Sequence, residues 1–228
     1  MILRQNYAAI KAKYKKIGKN NVRLTQSTLI LIQDINASRD SYTFPVLESD
    51  TKAVVKPEEI RLNINDEFIA NEIGFYIGAN VTVAGTTKKS KRLFTYAPVE
   101  LSSDYMKTEN AYTGQLQILV NKISFVEKWD MKKHNFIPRT QFGISSVAIP
   151  VATQASIDFS ANGMYPLQPN ITISGAKKND IIYSLPAAVA PSTGTWTTPD
   201  AAEQIMAIAE FWLVFRGLLG QNASKFQD

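Results

Sequence analysis

The feature that most constrains the fold is a succession of short apolar segments that begins at residue 22. Residues 60–65 alternate apolar and polar side chains, as a half-buried strand does. Residues 22–33 begin with alternation and then become continuously apolar, which is typical of a strand buried on both faces. Roughly ten such segments follow one another at irregular spacing, without an internal repeat. We therefore predict an all-β fold for residues 22–228, an antiparallel β-sandwich that is jelly-roll-like.

The apolar region near the C-terminus can be interpreted in two ways. Thr198, Pro199 and the acidic residues that follow them form a helix-start pattern. From about Phe211 onward, dense aromatic and branched residues favour a strand. We predict a short helix near the C-terminus, followed by a last strand. The apolar side chains of this strand would form either the core or a subunit interface, and the candidate interface residues are Phe211, Trp212, Phe215, Leu218 and Leu219.

Residues 1–21 form a separate segment, a basic amphipathic N-terminal arm. An apolar stripe with spacings of four and three residues predicts a helix over residues 2–17, and its members are Leu3, Tyr7, Ile10, Tyr14 and Ile17. A helix of this length is marginal on its own, so the stripe needs a partner surface. That surface could belong to the same domain, to a neighbouring subunit or to lipid.

Positive charge is concentrated at the start of the chain. Seven basic residues precede the first acidic residue, Asp34, and they are Arg4, Lys11, Lys13, Lys15, Lys16, Lys19 and Arg23. Without them, 18 of the 25 basic residues stand against 20 acidic ones, so the body is nearly neutral. Such a block either contacts a polyanion, meaning anionic lipid or nucleic acid without sequence specificity, or simply aids solubility. A second basic cluster, which could also be a solvated hairpin tip, comprises Lys88, Lys89, Lys91 and Arg92.

Motifs for catalysis are missing from the sequence. The chain has no cysteine, and its single histidine, His134, lies in a polar run that predicts a surface loop. No nucleophile-elbow, phosphate-loop, dinucleotide-binding or zinc-protease pattern occurs. We therefore expect no enzyme activity, no catalytic residue, no metal, no cofactor and no small-molecule substrate. The N-terminus lacks the pattern of a secretion signal, so we expect synthesis in the cytoplasm.

Three phrases of the sequence resemble coat proteins. They are residues 23–26 (RLTQ), 173–179 (ISGAKKN) and 215–225 (FRGLLGQNASK). Together with a basic arm, a long opening strand and a β-rich body of about 200 residues, they resemble virion proteins of tailless icosahedral phages that infect Bacteroidetes-type hosts. The arm departs from the arginine-rich arms of many coat proteins, because it is rich in lysine and amphipathic.

The resemblance implies a virion structural protein, a self-assembling icosahedral capsid subunit made in the host cytoplasm. Its partners would be copies of itself and other virion proteins, and its arm would contact a membrane, the genome or a neighbouring subunit inside the particle. The alternative is a β-sandwich binding module for glycans or host surfaces. Such modules present aromatic side chains in loops, and this chain has only scattered candidates, namely Tyr105, Tyr112, Tyr165 and Trp196. An enzyme built from ordinary Asp, Glu, Lys and Tyr residues is a third interpretation.

Overall fold

A computed structural model of the chain describes residues 2–16, 18–19, 21–50, 56–83, 89–95, 110–135, 163–197 and 203–226. It contains one α-helix, α1 (Ile2–Lys16), and strands β1 (Arg23–Asp34), β2 (Ser41–Phe44), β3 (Glu67–Val83), β4 (Lys89–Phe94), β5 (Gln115–Val120), β6 (Ile123–Asp130), β7 (Met164–Ser174), β8 (Asn179–Ser184), β9 (Ser192–Thr197) and β10 (Glu203–Gln221). Short 3-10 helices span Asn110–Tyr112, Met131–His134 and Ala223–Phe226. The prediction of a mostly β chain with an N-terminal helix is confirmed.

Two long strands form the centre of the first sheet. β3 and β10 are antiparallel and stay paired from Gln204 opposite Val83 to Gly220 opposite Glu67. On the free side of β10, β1 pairs with one half and β9 with the other. On the free side of β3, β7 and β4 divide the strand in the same way. The sheet therefore has the order β1-β10-β3-β7 at one end and β9-β10-β3-β4 at the other.

The second sheet has four antiparallel strands in the order β2-β8-β5-β6. β5 and β6 form a hairpin whose two turn residues, Asn121 and Lys122, both have positive φ angles of 52° and 65°. Two such residues give the twist that a tight hairpin connection requires. Aromatic rings from both sheets meet in the core. The ring centroid of Tyr183 in β8 lies 5.1 Å from that of Phe75 in β3 and 5.5 Å from that of Phe211 in β10. The two sheets thus bury one common apolar core.

The prediction of a short helix near the C-terminus is wrong for the residues that the structure describes. Residues 203–221 form one continuous strand, because β3 takes up the backbone hydrogen bonds on one edge while β9 and β1 take up those on the other. Thr198 and Pro199 lie outside the described residues.

The subunit interface that the sequence indicated on this strand is also not supported. Phe211 and Phe215 have no exposed surface, and Trp212 and Leu218 are 4% exposed within a single chain. Leu219 is partly buried and packs against the same core. Because these side chains are covered within a single chain, they offer little surface to a neighbouring subunit.

Helix α1 packs on its own domain at its C-terminal half. Tyr14 is buried against Ile69 of β3 and Ala223, and Ile10 is partly buried beside them. Tyr7, which lies about two helical turns before Tyr14, is exposed. The side chain of Leu3 and the whole of Ile17 lie outside the described residues. The stripe therefore finds its partner surface, at least from Ile10 onward, on the β body.

Candidate polyanion-binding surface

The seven basic residues of the arm do not share one environment. Four lysines of α1 project into solvent, namely Lys11, Lys13, Lys15 and Lys16. Arg23 is exposed at the start of β1, and the side chain of Arg4 is outside the described set. Lys19 is 7% exposed and is therefore the exception.

Lys19 belongs to a buried polar cluster that holds the arm on the body. Its Nζ atom lies 3.3 Å from Glu67 Oε1 and donates to the carbonyl oxygen of Ala223 at 2.5 Å. The hydroxyl of Tyr14 donates to the other carboxylate oxygen of Glu67 at 2.7 Å. Burial and the neighbouring Glu67 raise the pKa of Tyr14 well above its ordinary value. The prediction that Lys19 contacts a polyanion is therefore wrong, because its charge is already paired inside the protein.

A groove separates α1 from the β5–β6 hairpin. Its volume is about 520 Å³. Ile10 and Lys13 of α1 line it, as do Ile123 and Phe125 of β6. Polar side chains of β7, Lys177 of the β7–β8 turn and the cluster around Glu67 also belong to the lining. The groove therefore brings apolar side chains and lysines together.

The sequence did not point to the lysines of the two turns beside this groove. Lys122 is exposed in the β5–β6 turn, and Lys177 and Lys178 are exposed in the β7–β8 turn. The backbone N–H of Asn121 donates to the carbonyl of Lys178 at 2.7 Å, which joins the two turns. Lys178 is 72% exposed and forms a 3.2 Å ion pair with Asp180. Such exposed pairs contribute little, so the charge stays accessible to a partner. More than 50 residues separate the two turns in sequence, and no local pattern could have brought them together.

In the second basic cluster, Lys91 is paired with acidic residues. Lys91 lies within β4, where its Nζ is 3.2 Å from both Glu210 and Glu58. Burial opposes the charge of Glu210, but hydrogen bonds from Lys56 and Trp212 outweigh it and hold its pKa below the ordinary value. Arg92 is partly buried in β4; Lys88 and the side chain of Lys89 lie outside the described residues. Lys91 is therefore part of an internal ion-pair network.

His134 is buried, so the predicted surface loop is wrong at this position. The indole N–H of Trp129 donates to His134 Nε2 at 2.9 Å, and His134 Nδ1 lies 3.0 Å from the carbonyl oxygen of Gly163. The ring of Tyr165 lies 4.8 Å away, edge to face. Burial lowers the pKa of His134 to about 4. The neutral ring therefore uses both nitrogens to join the end of β6 to the start of β7.

Of the four loop aromatics that could have contacted a glycan, two are described and both serve the fold. Tyr112 is buried, and its hydroxyl donates to the carbonyl of Phe94 at 2.7 Å. The hydroxyl of Tyr165 donates to the carbonyl of Lys133. Tyr105 and the side chain of Trp196 lie outside the described residues.

The described part of the chain offers neither a cluster of metal ligands nor a membrane-spanning helix. Among the described residues, no three His, Asp or Glu side chains are placed to hold a metal ion together. Within the same residues, no helix combines the length and apolarity needed to cross a bilayer. No protein-family model, curated protein or solved structure matches the chain significantly. Function must therefore be inferred from the fold and its surface.

Proposed function

We propose that this protein is built on a jelly roll, and the order of its strands carries the proposal. β1 and β7 pair with the central strands at one end of the first sheet, and β9 and β4 pair with them at the other end. If β4 and β9 are treated as additions, the end that holds β1 and β7 and the second sheet together contain eight strands. In chain order they stand first, eighth, third and sixth in one sheet, and second, seventh, fourth and fifth in the other. This is the Greek-key order of a jelly roll.

Within that class, we propose a virion structural protein: a self-assembling capsid subunit. Jelly rolls also serve as lectins and as cupins. Cupin chemistry needs an open interior, whereas here Phe75, Tyr183 and Phe211 fill the space between the sheets with no exposed surface. Of the loop aromatics that the sequence offered for glycan binding, Tyr112 is buried and the hydroxyl of Tyr165 is bonded to the carbonyl of Lys133. A filled sandwich that works through its surface fits a shell tile better than either alternative.

The distribution of charge supports an orientation for such a tile. The exposed lysines of α1, the start of β1 and the β5–β6 and β7–β8 turns lie at one end of the sandwich. A capsid subunit that turns this end inward would place the cations against the polyanion of the particle. In this proposal the partners are copies of the chain and other virion proteins, and the location is the virion.

Assembly of the purified chain tests the proposal. Light scattering and electron microscopy of negatively stained material should reveal closed particles of defined size. A variant with Lys11, Lys13, Lys15 and Lys16 changed to Gln should still assemble, since sandwich contacts rather than arm charges hold the shell. It should carry less co-purified phosphate, measured by chemical assay. A chain that stays monomeric at high concentration and binds a glycan would refute the capsid proposal and support a binding module.

A further inference from the structure

Two exposed apolar side chains lie side by side at the cationic end of the molecule. Ile123 is 62% exposed and Phe125 is 47% exposed, and both line the groove beside α1. Ile123 pairs with Val120, which is buried, and directly opposed residues in antiparallel strands point to the same face. Ile123 therefore projects from the inner face of the second sheet, at a corner where the sandwich is open.

The position of Phe125 has a local cause. Ser124 pairs with Leu119, and Val126 pairs with Ile118, so β6 carries Phe125 as an extra residue between two consecutive pairs. A bulge of this kind changes the direction of a side chain and is common at sheet edges. Here it places an aromatic ring beside Ile123 rather than in the core. An edge strand that exposes two large apolar residues in this way is typical of a surface that binds a partner.

The charged side chains that line the groove are mostly lysines. Lys13 and Lys177 line the groove, and Lys122 is exposed in the adjoining turn. Glu67 is the one acidic side chain among the described residues of the lining, and it is already engaged by Tyr14 and Lys19. The surface thus combines lysines with exposed apolar side chains.

This combination discriminates between classes of partner. Nucleic acid would contact the lysines through its phosphates but would give Ile123 and Phe125 no apolar environment. The surface of an anionic bilayer provides both, because lysines interact with the headgroups while apolar side chains enter the headgroup–acyl boundary. Tyr7 of α1 is 37% exposed and adds an aromatic ring of the type that favours this boundary.

We infer that this end of the protein docks on an anionic lipid membrane, with Lys13, Lys122 and Lys177 at the headgroups and with Ile123 and Phe125 in the acyl boundary. The inference deepens the proposed function and rests on it for the inward orientation of this end. It assigns the contact to the β5–β6 hairpin together with the helix, rather than to the basic arm alone.

Vesicle flotation with the full-length chain tests the inference. The probes are vesicles of phosphatidylcholine alone and of phosphatidylcholine mixed with phosphatidylglycerol. We expect binding to the mixed vesicles only, and a loss of roughly tenfold in affinity when Ile123 and Phe125 are both changed to Ser. The control changes Ile60 to Ser, since this side chain is 47% exposed and its residue lies opposite Ile30, in the middle of β1 and away from the two turns. Circular dichroism verifies that each variant is folded.

The remaining results separate the possible outcomes. Equal vesicle binding by the hairpin variant and the control would overturn the inference. The inference would also be overturned if the chain binds double-stranded DNA through its lysines and does not bind the mixed vesicles. Light scattering is recorded on the same variants. If the hairpin variant keeps its assembly state and loses only vesicle binding, the inference stands; if it instead loses assembly and keeps vesicle binding, this corner is an interface between copies. Failure of the wild-type chain to assemble would count against the capsid proposal alone.

Discussion

The buried histidine makes the stability of this protein depend on pH in a defined way. His134 is neutral in the folded state because burial lowers its pKa to about 4 from an ordinary value of 6.5. Protonation would also remove the acceptor that Nε2 offers to Trp129. Between these two pKa values the unfolded chain binds a proton that the folded chain does not. Stability is therefore fully present above pH 6.5 and is lost as the pH falls toward 4.

The size of the effect follows from the two pKa values. With an unfolded value of 6.5 and a folded value of about 4, the free energy of unfolding should fall by about 2 kcal/mol between pH 7 and pH 5. His134 is the only histidine of the chain, and the ordinary pKa values of Asp and Glu in peptides lie below this window. The change can therefore be attributed to one side chain.

Urea denaturation followed by circular dichroism at pH 7 and pH 5 measures the difference. His134→Gln should remove most of the pH dependence while lowering stability at pH 7, because an amide replaces the ring only in part. Lys132→Gln, an exposed neighbour, should keep the dependence seen in the wild type. Equal stability of the wild-type protein at the two pH values would refute the reasoning, since it would mean that His134 is accessible to protons in the folded state.

Two further predictions concern the packing of β10. Changing Glu210 to Gln leaves Lys56 facing an uncharged group in a buried network, and it should lower the free energy of unfolding by about 2 kcal/mol. Asp34 is the other partner of this lysine and is 75% exposed, so Asp34→Asn should lower it by less than about 0.5 kcal/mol. Thermal or urea denaturation measures both values. Similar costs for both variants would mean that the burial of Glu210 is irrelevant. A methyl group added at Gly217 would overlap the β3 backbone, while at Gly220 the nearest atoms are 3.3 Å away. Gly217→Ala should therefore lower the free energy of unfolding by at least about 2 kcal/mol more than Gly220→Ala does. A well-tolerated Gly217→Ala would indicate a looser β3–β10 pairing than the structure describes.

Much of the fold could be predicted from local patterns. The apolar run of 22–33 indicated β1, and the stripe of residues 2–17 indicated α1. The strand predicted from the alternation of residues 60–65 is wrong. Only Ile60 and Leu62 form isolated bridges, because the backbone then turns where the N–H of Asp66 donates to the carbonyl of Asn63. Residues 203–210 were predicted less well, because their composition is compatible with a helix or a strand. Pairing with β3 and β9 on both edges decides in favour of the strand, and those partners lie far away in sequence.

The candidate site could be predicted only in part. A run of lysines was visible in the arm, but Glu67, which binds Lys19, is 48 residues further along the chain. Lys122 and Lys177 come together only because their turns are hydrogen-bonded neighbours at one end of the second sheet. His134 was predicted to be exposed because its sequence neighbours are polar, yet its ring is covered by Trp129 and Tyr165 from two different strands.

The sequence by itself thus determined the mostly β character of the chain, its N-terminal helix and the excess of positive charge at its start. Tertiary structure decided which charges are free, which apolar residues are exposed and where they meet. The reason is physical: side-chain periodicity is a property of neighbouring residues, whereas burial and charge pairing depend on contacts between residues that only the folded chain brings together.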